Sequence, residues 1–208
     1  MTNIQSWSEL FDHRKQIKMR YPEIWDIPLV KKEMDRIMPH LREGIRILEM
    51  GAGDRRYEAK IKKTVPGVTY KSLDIDKKTD QDYYHIGEIE ETFDLILMFE
   101  VIEHLTLGEA AEMFKKIRSL LVKGGTLLLS TPNLYHPNRY FDITHKTPFR
   151  YEDLGATMLM AGFNAIHFYR MYNDAFLRRS FRTLIGIHLH KYLEMDFART
   201  LLAEGKRD

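Results

Sequence analysis

Cysteine is absent from the 208 residues. That excludes a disulfide framework and any zinc site built on thiolates, and it fits a reducing compartment. Long apolar runs are also missing, since none approaches the roughly 18 residues of a membrane span. The opening stretch "MTNIQSWSELFDHRK" has no apolar core of a secretory signal. Together these absences set the expectation of a cytoplasmic protein. Charge of one sign is not in excess: 32 basic against 30 acidic residues leave +2, with nine histidines besides. That balance does not demand nucleic acid, so no DNA partner is expected, while RNA stays open. Internal repeats and low-complexity stretches are absent too. What remains is 44% hydrophobic and 30% charged, suited to one globular domain with a sizeable core.

The apolar pattern alternates between two periods. Residues 3–19 and 28–41 carry helical spacing; in the second, Val30, Met34, Ile37, Met38 and Leu41 share one stripe. Trp7 and Trp25 are expected to anchor these helices. Apolar runs at 44–50, 68–76, 93–99, 126–131 and 163–171 read as strands, with a short one near 83–86. Helical patterns at 54–64, 108–121 and 151–161 fall between them. Strands alternating with helices imply right-handed crossovers and a mostly parallel sheet. The runs near 47, 96 and 128 lack alternation, as central strands covered on both faces do.

Three parts of one domain follow: an N-terminal helical cap (1–43), a Rossmann-like α/β core (44–171), and a helical insertion with a last edge strand (172–208). In the insertion, 174–195, Leu177, Phe181, Leu184, Ile185 and His188 share a face, with Arg178, Arg179, Arg182 and Lys191 elsewhere. The plain reading is a core stripe under a solvated basic face. A substrate lid, a homodimer contact and a peripheral membrane element are the alternatives.

The stretch "ILEMGAGDRRY" (47–57) carries the first chemical signal. Ligands of open α/β sheets sit at strand carboxyl ends, where strand order reverses. Gly51 and Gly53 follow the first core strand at once, but the third glycine of the dinucleotide pattern is replaced by Arg56. Glu49 would also set a negative charge beside a pyrophosphate. Both features argue against NAD and suit a cationic, phosphate-free nucleoside such as S-adenosylmethionine (SAM). Asp74 ends the second core strand, where a carboxylate can accept hydrogen bonds from ribose hydroxyls or cap the next turn. Ile75 stands beside it. Glu88, farther on, either meets the adenine amine or is a solvated loop acid.

The stretches "ILEMGAGDRRY", "SLDID", "FDLILMFEVIEHL", "LLVKGGTLLLSTPN" and "LMAGF" resemble, in order and spacing, class I SAM-dependent methyltransferases, and the likeness spans about residues 44–170. The resemblance implies a doubly wound seven-stranded sheet with one antiparallel strand near its edge. It implies SAM as cofactor, held at Glu49, Gly51, Ala52, Gly53, Asp74, Ile75, Glu88, Phe99 and Glu100, and a small-molecule methyl acceptor. The departure is "DRR" after Gly53, where many relatives carry another glycine.

Methyl transfer from a sulfonium needs alignment above all, with a base only where the nucleophile must lose a proton. Glu100, Glu103 and His104 follow the third long strand at offsets that share one face if the segment is helical. They could cap the helix and line the cofactor floor. His104 could be a general base. Or Glu100, Glu103 and His104 could bind a divalent metal with His145 or His136, since "EVIEH" resembles the metal-binding segment of small-RNA 2′-O-methyltransferases and of ubiquinone-pathway O-methyltransferases. Residues 133–151 add Tyr135, Tyr140, Phe141 and Phe149 for stacking. They also add Asp142 and His145 for orienting or deprotonating a hydroxyl, and Arg139, Lys146 and Arg150 for holding an anion. The reading that results is O-methylation of a small molecule, such as a sugar or polysaccharide precursor. An RNA methyltransferase and a non-catalytic SAM-binding protein are the alternatives.

Overall fold

The computed structural model describes residues 7–137 and 142–208. Helix α1 (Trp7–Arg20) precedes a two-residue strand β1 (Leu29–Val30) and a short α2 (Met34–Ile37). Strand β2 (Arg46–Met50), α3 (Glu58–Thr64), β3 (Thr69–Leu73), β4 (Phe93–Phe99) and α4 (Leu107–Leu120) form the first half of the core. Strand β5 (Leu121–Pro132), α5 (Tyr151–Met160) and β6 (Phe163–Met171) follow. Helices α6 (Phe176–Phe181) and α7 (Ile187–Tyr192) flank a five-residue π segment, and β7 (Thr200–Arg207) ends the chain.

The seven strands lie in the order β1-β6-β7-β5-β4-β2-β3, with β7 antiparallel to both neighbours and the rest parallel. The sequence pattern explains the layers. Along β2, β4 and β5, Leu48, Ile96 and Leu127 face one core with α1, α4 and α5, while Ile47, Leu95 and Leu128 face a second core with α2 and α3. Helix α4 starts where Thr106 and Glu109 cap each other's backbone N–H. Its Phe114 is fully buried, a contribution of about 2–3 kcal/mol.

The structure corrects five expectations. The 28–41 helix is broken. The edge of β6 captures residues 28–30 through backbone bonds from Arg170 to Pro28 and from Tyr172 to Val30, so β1 forms there and only a short helical turn remains. The strand near 83–86 shrinks to one bridge between Leu73 and Tyr83: Asp82 accepts bonds from the backbone and hydroxyl of Ser72, fixing a single register point, and a 3-10 turn follows at Ile86–Glu88. The last strand is interior, not an edge; Leu201, Leu202 and Ala203 are fully buried between two partners. Its buried Glu204 is answered by Arg36 at 2.8 Å and His40 at 3.5 Å, which more than offset burial and hold its pKa at about 2. Finally, the 177–188 stripe faces outward, with Leu177 81% and Leu184 73% exposed. Trp7 is likewise exposed rather than anchored.

Candidate active site

The chain passes from β2 to β3 on one side, then returns to place β4 on the other side of β2. The carboxyl ends of β2 and β4 therefore mark the switch point, where a crevice opens. Gly51 sits there at φ +70, and a Cβ on it would lie 2.3 Å from the Val101 side chain beyond β4. This glycine lets the two turns close on each other. Gly53, at φ +50, has nothing within 4 Å of its Cβ position, so its open side can accept a ligand.

The turn is held from below. The N–H groups of Gly51 and Ala52 donate to the Leu73 carbonyl. Gly53 N–H donates to Asp74 Oδ2 at 2.9 Å, and Asp76 N–H to Asp74 Oδ1 at 2.9 Å. Asp74 thus does cap its turn, and each oxygen keeps a lone pair for a further donor. Ile75 beside it is 81% exposed, an apolar surface suited to a planar base. Gln81, which sequence reasoning missed, donates its amide to the Gly53 carbonyl at 2.8 Å and leaves its buried Oε1 without a partner. Nothing in the sequence marks it, because its value comes from the chain closing back on the turn. Glu88 is exposed and accepts from the N–H groups of Tyr84 and His85, which lower its pKa.

Glu49 is 3% exposed and accepts a hydrogen bond from the Tyr70 hydroxyl. Burial raises its pKa to about 7, against the pull of Tyr70 and Arg56. The missing third glycine has a local explanation. Helix α3 begins at Glu58, and the chain first makes a turn in which Arg55 takes φ +55. No helix packs closely at Arg56, so no glycine is required there; Arg56 instead lies over the Tyr57 ring and 3.7 Å from Glu33. Phe99 is buried against Tyr57, ring centroids 5.2 Å apart.

The "EVIEH" segment is not an α-helix. Glu100 takes φ +54 and hydrogen-bonds the Ser130 hydroxyl at 2.7 Å, and Ile102–His104 forms one 3-10 turn. Glu100 therefore turns toward β5 and stands apart from the three residues that converge. Glu103, His104 and His145 each offer a ligand atom within 4.8 Å of the others. The rings of His104 and His145 meet edge to face at 4.9 Å. The loop after β5 creates this convergence: the N–H groups of Lys146 and Thr147 donate to the Glu103 carbonyl, and the Thr147 hydroxyl to that of Leu105.

Glu103 is 2% exposed, and among the described residues neither carboxylate oxygen makes a well-formed hydrogen bond, although the Thr131 hydroxyl and its own N–H stand close enough to pull its pKa down. Burial, then the Glu100 charge, raises its pKa to about 8. The Thr131 hydroxyl is likewise buried without a well-formed hydrogen bond. Both line a 270 Å³ cavity with Asp142, His145 and Lys146. Thr144, unremarked in the sequence, links two predicted residues: its hydroxyl lies 2.7 Å from Asp142 Oδ1 and 2.9 Å from His104 Nδ1. That hydroxyl and the Thr144 N–H lower the Asp142 pKa. His145 lies 3.8 Å from Asp142.

The other loop residues divide. Phe149 is core, 1% exposed, and also lines the cavity. Tyr135 packs on Tyr151 and under Arg150. Arg139, Tyr140 and Phe141 lie outside the described residues. His136 stands elsewhere: burial and the charges of Arg199 and Arg182 lower its pKa, and it is no part of the Glu103 group.

Comparison with known proteins agrees with this geometry. A family model described as a methyltransferase domain matches residues 23–183. Among solved structures, a SAM-dependent methyltransferase from Archaeoglobus fulgidus is similar at 16% identity and TM-score 0.67, covering 97% of this chain and 100% of the other. Another, from Clostridium acetobutylicum, is 9% identical with TM-score 0.61, over 95% and 98% of the two chains. Phosphoethanolamine N-methyltransferase 2 of Haemonchus contortus, solved with S-adenosyl-L-methionine, is 15% identical with TM-score 0.59, over 84% of this chain and 52% of that one. No curated protein matches the sequence significantly. With its glycine turn at the switch point and the family model spanning well over half of its length, the chain belongs to the class I SAM-dependent methyltransferase family.

Proposed function

We propose that this protein O-methylates a small hydroxylated molecule, such as a sugar or polysaccharide precursor, seated in the cavity at the end of β5. The observation that carries this reading is Glu103, a buried acid that makes no well-formed hydrogen bond among the described residues, beside His104 and His145 at that cavity. A buried group left unsatisfied costs about 1–3 kcal/mol, and a bound polar ligand would recover it. The residues present suit SAM: Gly53 leaves open space, Asp74 keeps acceptor capacity, and Ile75 offers an exposed apolar surface. When bound, SAM would supply a methyl group activated on a sulfonium, with the neutral thioether S-adenosylhomocysteine as the leaving group when an oxygen nucleophile attacks in line.

The chain's own residues prepare that nucleophile. Asp142 is held ionised by Thr144, so the Thr144 hydroxyl donates to it and accepts from His104 Nδ1–H. That leaves His104 Nε2 with its lone pair free to take the proton of an acceptor hydroxyl. Glu103, protonated at neutral pH, donates to a polar group in the cavity.

A second reading is favoured by the same cluster. One carboxylate and two imidazoles form a sound partial shell for a divalent cation, which would orient the acceptor and lower the pKa of its hydroxyl; Glu103 would give up its proton to bind it. The cavity's size and the +2 net charge favour a small acceptor over RNA. A non-catalytic SAM binder would leave the Asp142–Thr144–His104 chain without a task. The experiment is turnover with SAM across sugars, nucleotide sugars, phenols and RNA, read by mass spectrometry with and without a strong chelator. Methylated sugar or phenol supports the reading. RNA as sole acceptor, or SAM binding without turnover on any acceptor, overturns it; equal rates with chelator end the metal.

A further inference from the structure

The outward stripe on residues 174–195 is not absorbed by the catalytic reading. Of the fourteen large hydrophobic side chains exposed among the described residues, eight lie between 176 and 193. Leu177, Phe181, Leu184, Ile185 and Tyr192 are 59–84% exposed. The arm is docked through His190, which packs on Trp25 and Phe197, with centroids 6.4 and 5.9 Å away. Asp174 anchors Arg182 at 3.4 Å, and a buried Arg170–Asp196 pair at 2.9 Å fixes the C-terminal base of the arm. The stripe is therefore held outward, and turning it in would break these contacts.

Charge decides the occupant. From 174 to 195 the arm carries Arg178, Arg179, Arg182 and Lys191 against Asp174 and Glu194; Asp174 lies near Arg178 and Arg182, and the net charge stays positive. A second copy of the arm would bring cations against cations. A nucleic acid would take the cations but leave the apolar stripe in water. An anionic bilayer accepts both, with the stripe at the acyl boundary and the cations among the phosphates. We propose that this arm lies flat on an anionic phospholipid surface and docks the enzyme there. Lys191 and Glu194 of the arm also line a 340 Å³ cavity with Trp25, Tyr135, Arg150 and Glu152, so docking brings that cavity to the headgroup layer.

Cosedimentation of the full chain tests this with phosphatidylcholine vesicles and with two-to-one phosphatidylcholine–phosphatidylglycerol vesicles. The wild type pellets with the mixed vesicles, releases in high salt, and stays in solution with phosphatidylcholine alone. The triple variant Phe181→Gln, Leu184→Gln, Ile185→Gln alters only exposed positions; it stops pelleting but keeps SAM affinity, which reports an intact fold. Arg179→Gln and Lys191→Gln each weaken partitioning about fivefold. A wild type that does not pellet, or a triple variant that pellets equally, overturns the proposal. So does a stripe-dependent dimer or RNA complex without vesicle binding.

Discussion

Replacing Glu103 with Gln should stabilise the protein at neutral pH and above. The carboxyl has a pKa of about 8 when folded against 4.5 as a free side chain. Between those values the folded chain keeps a proton that the unfolded chain has lost. The unfolded state therefore gains as pH rises, and stability falls by about 1.4 kcal/mol per pH unit. At pH 7 the accumulated penalty is about 3 kcal/mol, and above pH 8 it approaches about 5 kcal/mol. Gln cannot ionise and escapes the penalty. Its own unpartnered amide costs about 1–3 kcal/mol, but that cost is the same at every pH. The slope is therefore the signature. Urea denaturation followed by tryptophan fluorescence, with chelator present, should show the variant gaining on the wild type by about 1.4 kcal/mol per unit between roughly pH 5 and pH 8. Below about pH 4.5 the difference should be flat. A difference independent of pH would refute the inference that this carboxyl is buried, ionisable and unpartnered. Methyl transfer by the same variant should hold within about tenfold, because the Gln amide donates where the protonated carboxyl did; a loss of about 100-fold or more would instead support the metal reading.

The two glycines of the cofactor turn should separate stability from binding. Gly51→Ala drives a methyl group into Val101 at a positive φ and should lower stability by about 2–4 kcal/mol in thermal melts. Gly53→Ala meets no atom; it should cost only about 1–2 kcal/mol yet weaken SAM binding in calorimetry more than it lowers the melt. Asp74→Ala should reduce SAM affinity at least about tenfold, or about 1.4 kcal/mol, and unchanged affinity would remove Asp74 from the cofactor site. Thr144→Val should lower kcat at least about tenfold with little change in KM, and Thr144→Ser should restore it; an unchanged kcat would sever Thr144 from His104. Asp196→Ala strands the buried Arg170 guanidinium and should cost about 3–5 kcal/mol in denaturant titration.

Local chemistry was enough for much of this protein. The continuous apolar run at 93–99 specified a strand with the observed bounds, because a strand covered on both faces must be apolar throughout, and the stretch after Gly162 marked the strand at 163–171. The pair Gly51 and Gly53, followed by Asp74, located the crevice, since backbone sterics and carboxylate chemistry act over a few residues. "EVIEH" was legible as a chemical cluster for the same reason. Tertiary structure decided what depends on distant chain. Helical periodicity in 28–41 gave way to the open edge of β6, which offered backbone partners no periodicity encodes. The spacing of Glu100 from Glu103 suggested a shared face, but a residue at positive φ turned Glu100 to Ser130 and left His145, forty-one positions beyond His104, to complete the group. The spacing of 177–188 read as one stripe, and its large apolar side chains are exposed. Which way it looks depends on Trp25, Phe197 and the Arg170–Asp196 pair, because hydrophobic spacing defines a surface but not the neighbour that covers it.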